Sequence, residues 1–323
     1  MRKKLLLILS LIFVSLIAGN SIGSEYPTRE IEVIAGFGPG SAMDLIARLA
    51  AKYAEKPIGK SVIVVNRPGG GGSRGSIVLA AAKPDGYTLG LIAPSGLLQP
   101  YLMKGVTFHY KKSYRIICQL ANSEIGIYVK KGGPFDLPLK DFIAKAKEKP
   151  GTIKAGIGAT WSGDDFARAI LEEETGVKFI RVPFPGGGTE SVPALLGGHS
   201  DVNFGSGPHW APLYKAGKLN VLAIGGEKRD PRFPEIPTFK EYGYEMGIAA
   251  SYWMAAPAGT PDAIIQFLAE AFKKGCAEKG YKEGMDNLGL LGTWENPADS
   301  LKSMERMESL FLKIIRKYDL KPQ

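Results

Sequence analysis

Short apolar runs alternate with amphipathic stretches of helical period along most of this 323-residue chain, and a glycine- or proline-marked loop separates each pair. The pattern predicts strands at 31–37, 62–65 and 87–93, with helices at 42–56 and 76–82 between them. Beyond Gly133 the alternation restarts, with helices at 140–149, 164–175 and 189–196 and strands at 153–157, 179–182, 202–204 and 219–224. Such alternation implies an α/β architecture with mostly parallel sheets flanked by helices. The tail differs: 261–277 and 297–318 read as amphipathic helices, each opened by a proline at the first turn. Segments 114–130 and 220–256 are rich in strand formers and are read as crossings between two domains. One domain would comprise 24–124 and 225–323, and the other, 125–224, would be inserted in it.

The amino terminus bears on destination. Arg2, Lys3 and Lys4 precede an apolar run at 5–18, and small residues follow at Gly19, Ser21, Gly23 and Ser24. That order is a secretory leader, 1–23, cut near Ser24. A retained anchor is the alternative, but the apolar core is about 14 residues against the roughly 20 a spanning helix needs. No cysteine stands near the end of the run, which excludes a lipidated amino terminus. The expected location is the periplasm. Without the three basic residues of the leader, 38 basic residues face 32 acidic ones, a modest excess that favours an anionic ligand. The basic residues are scattered and not interleaved with aromatics, so nucleic acid is not an expected partner. At 45% hydrophobic and 23% charged the chain is expected to be globular. Spacing leaves it open whether Cys118 and Cys276 pair.

Five glycine-rich loops stand where strands end. Gly36-Phe37-Gly38-Pro39-Gly40-Ser41-Ala42-Met43-Asp44 joins a strand to a helix whose first N–H groups would attract a carboxylate or phosphate. The same residues also read as a capping box, Ser41 with Asp44, which needs no ligand. The segment is not a dinucleotide fingerprint: Pro39 removes a donor, and Asn66 and Arg67 stand where an acidic ribose partner belongs. In the second glycine run, 66–73, Arg67 is read either as a cleft cation or as a structural partner of an acid. At Ala159-Thr160-Trp161-Ser162-Gly163-Asp164-Asp165, Ser162 or Asp164 is a cap, and Trp161 a wall of the cleft or packed surface. Loops at 182–189, with Phe184, Gly186 and Gly187, and at 204–208, with Ser206, complete the set. Ligands of open α/β sheets bind outside the carboxyl ends of strands. Catalytic machinery is thin: His109, His199 and His209 form no metal spacing or triad, and Asp164 and Asp165 point apart on a helix.

The order and spacing of Tyr26-Pro27-Thr28-Arg29, 37–44, Val64-Val65-Asn66-Arg67-Pro68-Gly69, Pro84-Asp85-Gly86-Tyr87-Thr88-Leu89, Val182-Pro183-Phe184 and Leu196-Gly197-Gly198-His199-Ser200-Asp201 are specific as a set. On them the chain resembles the substrate-binding proteins of tripartite tricarboxylate transporters, the Bug-type periplasmic receptors, along essentially its whole mature length. The resemblance implies a two-lobed, type II-like periplasmic-binding-protein fold that closes on a small organic carboxylate. It implies no catalytic residue, cofactor or metal, a monomer, and a large and a small membrane subunit as partners. Ligand contacts would come mainly from backbone N–H groups and water of two loops, Phe37, Gly38, Pro39, Gly40 and Ser41 in one and Ala159, Thr160, Trp161 and Ser162 in the other. Ser95, Phe184, Gly186, Gly187 and Ser206 would shape the rest, and Asp44, Asp164 and Arg67 are further candidates read from the residues themselves. The chain departs from the family with Ser41 in place of a second glycine, Phe184 in place of tyrosine, and no histidine near Phe166. An apolar-bodied or aromatic acid joins the di- and tricarboxylates as an expected ligand. Sensing through a signalling partner, or hydrolysis, are the competing functions. Gly38→Val is expected to abolish binding while sparing the fold.

Overall fold

The protein is described by a computed structural model of residues 26–246 and 249–322, so the leader expected at 1–23 lies outside the described residues. Its strands are β1 (Ile31–Ala35), β2 (Val62–Asn66), β3 (Thr88–Ile92), β4 (Tyr114–Lys130), β5 (Ile153–Ile157), β6 (Phe179–Pro183), β7 (Val202–Ser206), β8 (Leu219–Ile224), β9 (Ala249–Pro257) and β10 (Leu291–Glu295). The helices are α1 (Ala42–Ile58), α2 (Ser73–Ala81), α3 (Ser95–Leu102), α4 (Tyr110–Ser113), α5 (Leu139–Glu148), α6 (Gly163–Thr175), α7 (Gly188–Leu196), α8 (Gly207–Lys215), α9 (Asp262–Ala277), α10 (Lys279–Asn287) and α11 (Pro297–Lys317). Among the described residues no helix is long and apolar enough to cross a membrane.

The strands form one sheet in the order β2-β1-β3-β9-β4-β7-β5-β6, with β8 and β10 paired to β4 off that path. Parallel pairing is confined to the two ends. β1 lies between β2 and β3, and β5 between β6 and β7. The centre is antiparallel, which makes the sheet mixed where the alternation suggested mostly parallel pairing. The reason is β4: its seventeen residues run without a crossover helix and serve both ends. Residues Tyr114 to Glu124 pair with β9, and from Ile125 onward β4 pairs with β7 and β8.

Local sequence explains the helices. In α1, Ile46, Ala47, Ala50, Ala51 and Ala54 recur at the three-to-four spacing of one face and are buried. Those small side chains let α9 approach so closely that a methyl at Gly275 would meet the Tyr53 backbone at 2.8 Å. Five elements escape the sequence pattern: α3, which carries Pro100, the four-residue α4, and three more. Helix α8 carries Pro208 and Pro212, although proline in a first turn costs little. Helix α10 carries Gly280 and Gly284, poor helix formers that make room for Tyr53 and Leu49. The third, β10, is a short, half-exposed edge. Cys118 and Cys276 are both buried free thiols.

Candidate ligand-binding site

Each parallel triplet places a loop after its middle strand, where the winding reverses. The two loops are built alike. In the first, Ser41 caps α1 and its Oγ accepts from Asp44 N at 3.3 Å, while Ser41 N donates to Gly38 O. Asp44 Oδ2 accepts from Gly40 N at 2.8 Å. In the second, Ser162 caps α6, its Oγ accepts from Asp165 N at 3.3 Å, and Ser162 N donates to Ala159 O. Asp165 Oδ2 accepts from Trp161 N at 2.9 Å. The acid three residues past each serine thus bonds the residue before the cap, one position earlier than a capping box requires. Both pre-cap residues have left-handed backbone, with φ of 79° at Gly40 and 53° at Trp161.

The result is two helix starts with free donors. The N–H groups of Ala42 and Met43, and of Gly163 and Asp164, have no acceptor among the described residues. They face one cavity of about 490 Å³, part of it open to solvent. Three more helix starts reach the same space: Pro94 and Ser95 at α3, Gly187 at α7, and Ser206 with His209 at α8. Each start carries roughly half a positive charge. Phe37, Met43, Ala93, Ile125, Ala250 and Tyr252 supply an apolar body, and among the described residues no lysine or arginine lines the cavity. The loops touch across the sheet: a methyl at Gly40 would come within 3.0 Å of Thr189 Cγ2, and one at Gly187 within 3.7 Å of the Phe37 ring.

Three titratable side chains line the space: Asp164, His209 and Tyr252. Burial raises the Asp164 carboxyl to about 7; the neighbouring Asp165 adds to this, and the Gly158 N–H opposes it. Burial lowers His209 to about 4, so its ring is neutral near pH 7. Tyr252 donates to Ser206 Oγ at 3.1 Å and fixes that hydroxyl at the cavity floor.

Of the residues expected to contact a ligand, Phe37, Ser41, Ser95, Ser162, Asp164, Gly187 and Ser206 line the cavity. The others do not. Asp44 is committed behind the loop: its carboxylate holds Gly40 N, Asn66 Nδ2 at 2.9 Å and Arg48 at 2.9 Å. Burial works to raise its pKa, but the bonds from Arg48, Gly40 and Asn66 hold it below the ordinary value. Arg67 is exposed, because β2 is an edge strand and its carboxyl end falls one strand away from the cavity. Trp161 is core, 4% exposed, and not a wall of the cavity. Phe184 and Gly186 follow the opposite edge strand, and Gly186 N is taken by Glu190. Ala159 and Thr160 face Gly71 across the seam instead. Gly38, Pro39 and Gly40 form the turn outside the cavity, and a methyl at Gly38 would meet nothing within 4 Å. The expectation that Gly38→Val abolishes binding therefore loses its steric basis; Gly40 is the constrained position.

Sequence reasoning missed Ile125, Ala250 and Tyr252, which come from strand interiors that carry no motif, and His209, which belongs to the unrecognised α8. It also missed Asn66, whose Nδ2 ties Phe37 O to Asp44 and so fixes the first loop.

A model of the tripartite tricarboxylate transporter family receptor matches residues 46–318. The chain belongs to that family. The matched span begins two residues past Asp44, so the first loop enters the site on its own geometry. The receptor is 35% identical over 264 residues to a Cupriavidus necator protein named UPF0065 protein in gbd 5′region, across 81% of this chain and 79% of that one. It is 31% identical over 255 residues to BugT of Bordetella pertussis, across 78% of each chain. MatC of Rhodopseudomonas palustris, solved with bound malate, shares the fold with a TM-score of 0.85 at 22% identity, covering 90% of this chain and 100% of that one. Relatives and fold are those of periplasmic solute-binding proteins and not of enzymes. The chain is a solute-binding receptor of the Bug type.

Proposed function

We propose that this receptor captures a small carboxylate-bearing solute between two lobes, 24–124 with 225–323 and 125–224, and delivers it to the large and small membrane subunits of a tripartite transporter. It would act as a periplasmic monomer after loss of the 1–23 leader. The observation that carries the reading is the convergence of five helix starts, two of them with free N–H groups, on a cavity lined by no cationic side chain among the described residues. Hydrogen bonds to a charged group contribute roughly 1.5–3 kcal/mol each. Four such donors together contribute roughly 6–12 kcal/mol, a range that brackets the roughly −8 kcal/mol of micromolar binding. Main-chain donors are also preorganised by their helices and avoid the desolvation that a buried arginine would incur. Malate in MatC supports a small organic acid as the ligand class. The apolar lining favours an acid with a compact hydrocarbon body.

A thermal-shift screen of mono-, di- and tricarboxylates, aromatic acids and amino acids tests the reading. A matching acid at a hundred times its Kd should raise Tm by roughly 5 °C, and the acid should be recovered unchanged. Stabilisation by cations alone, or consumption of the acid, would contradict it.

A further inference from the structure

We propose that Asp164 makes ligand capture proton-linked: a carboxylate solute enters the cavity together with one proton, which the Asp164 carboxyl holds. This rests on reading the cavity as a carboxylate site.

The geometry singles out this residue. Asp164 is the second residue of α6, and the corresponding place in α1 is held by Met43. A methyl at Gly158 would lie 3.0 Å from Asp164 Oδ2, which places the carboxylate beside the end of β5. The side chain lines the cavity, where no lysine or arginine can pair with it. The ionisable groups facing Asp164 are neutral or acidic. Asp165, next on α6, is turned away to the Trp161 N–H and to Arg168 and Arg181. From α8 comes the neutral His209, and from β4 and β9 come Tyr128 and Tyr252, whose hydroxyls burial keeps protonated.

A ligand carboxylate among the helix starts therefore shares an apolar space with a second carboxylate. Two such groups in close contact do not both stay ionised. One proton from water binds Asp164, and the neutral carboxyl then donates a hydrogen bond to the ligand anion: Asp–COO⁻ + H⁺ + RCOO⁻ gives Asp–COOH···⁻OOCR. The free carboxyl already sits near neutrality, and an anion beside it raises its pKa further. Proton uptake on binding is then small below pH 7 and close to one above it. In effect the acid side chain screens cargo by charge: it disfavours capture of a fully ionised acid as pH rises.

Calorimetric titration with succinate, adipate, benzoate and L-alanine, near pH 6.5 and 8.5 and in two buffers of different ionisation enthalpy, counts the protons. The wild type should take up about one proton per acid near pH 8.5, and its affinity should fall about tenfold per pH unit above 7. Asp164→Asn, which carries a permanent donor in place of the proton, should take up none and bind as tightly near pH 8.5 as near 6.5. Binding without proton uptake in the wild type, equal uptake in Asp164→Asn, or selective binding of the ammonium-bearing L-alanine would overturn the proposal alone. No binding of any acid at either pH would overturn the carboxylate reading and this proposal with it. A circular-dichroism melt of Asp164→Asn establishes that the variant is folded.

Discussion

The two cavity-facing loops share one design and differ in how it is held. At 38–44 the left-handed position is a glycine, and the supporting acid, Asp44, is anchored by Asn66 and a half-exposed Arg48. At 159–165 the left-handed position is Trp161, and Asp165 is gripped by Arg168, whose side chain is 8% exposed, and by Arg181. The first loop obtains its shape from backbone freedom. In the second, the buried indole and ion pairs hold an unfavourable backbone in place. The comparison also explains the asymmetry of the cavity: with Met43 at one helix start and Asp164 at the other, one end presents bare amides and the other an acid.

This difference can be broken from either side. The largest effect should come from Asp165→Ala, which removes the buried carboxylate that Arg168, Arg181 and the Trp161 N–H share, although Arg168 keeps Glu172. Urea unfolding should show a loss of about 3–5 kcal/mol, and a loss under about 1 kcal/mol would mean the second loop is not held by this acid. Trp161→Gly should cost about 2–4 kcal/mol, because relieving roughly 1 kcal/mol of left-handed strain does not offset removing a buried aromatic ring. A variant as stable as the parent would show the indole is no anchor. Asp44→Ala should cost less than Asp165→Ala, about 1–3 kcal/mol, and the reverse order would invert the comparison. Gly40→Ala should cost only about 1–2 kcal/mol in stability yet weaken capture of a carboxylate in calorimetry, since the methyl meets Thr189 across the seam. The smallest effect concerns acid. The pKa of Asp44 is lower folded than unfolded, so its contribution is complete above the ordinary aspartate value of about 3.9 and is lost as pH falls through the folded value. Asp44→Asn should flatten that part of a stability-versus-pH curve, and an unchanged acid limb would show that Asp44 does not carry it.

Much of this arrangement is written in local sequence. The strand-to-helix loops, the Ser41 and Ser162 caps and the gathering of glycine turns at strand ends follow from spacing and from glycine and proline chemistry alone. The roles of the acids do not. Asp44 and Asp164 stand in similar motifs, yet one braces a loop and the other faces the cavity; the acid three residues past its cap serine turns to the loop and the acid two past it turns inward. Arg67 was no better placed by sequence, because only the strand order shows that β2 is an edge. Ala250 and Tyr252 reach the cavity through the antiparallel pairing of β4 with β9, and Ile125 through that of β4 with β7, contacts between residues far apart in the chain that no short motif signals.

Amide chemical shifts during titration with an acid found by the screen test the central claim most directly. Main-chain capture predicts that the amide resonances of Ala42, Met43, Gly163 and Asp164 move together and most strongly, with one shared Kd. Stationary amides at those four residues, alongside large shifts at lysine or arginine side chains elsewhere, would contradict it.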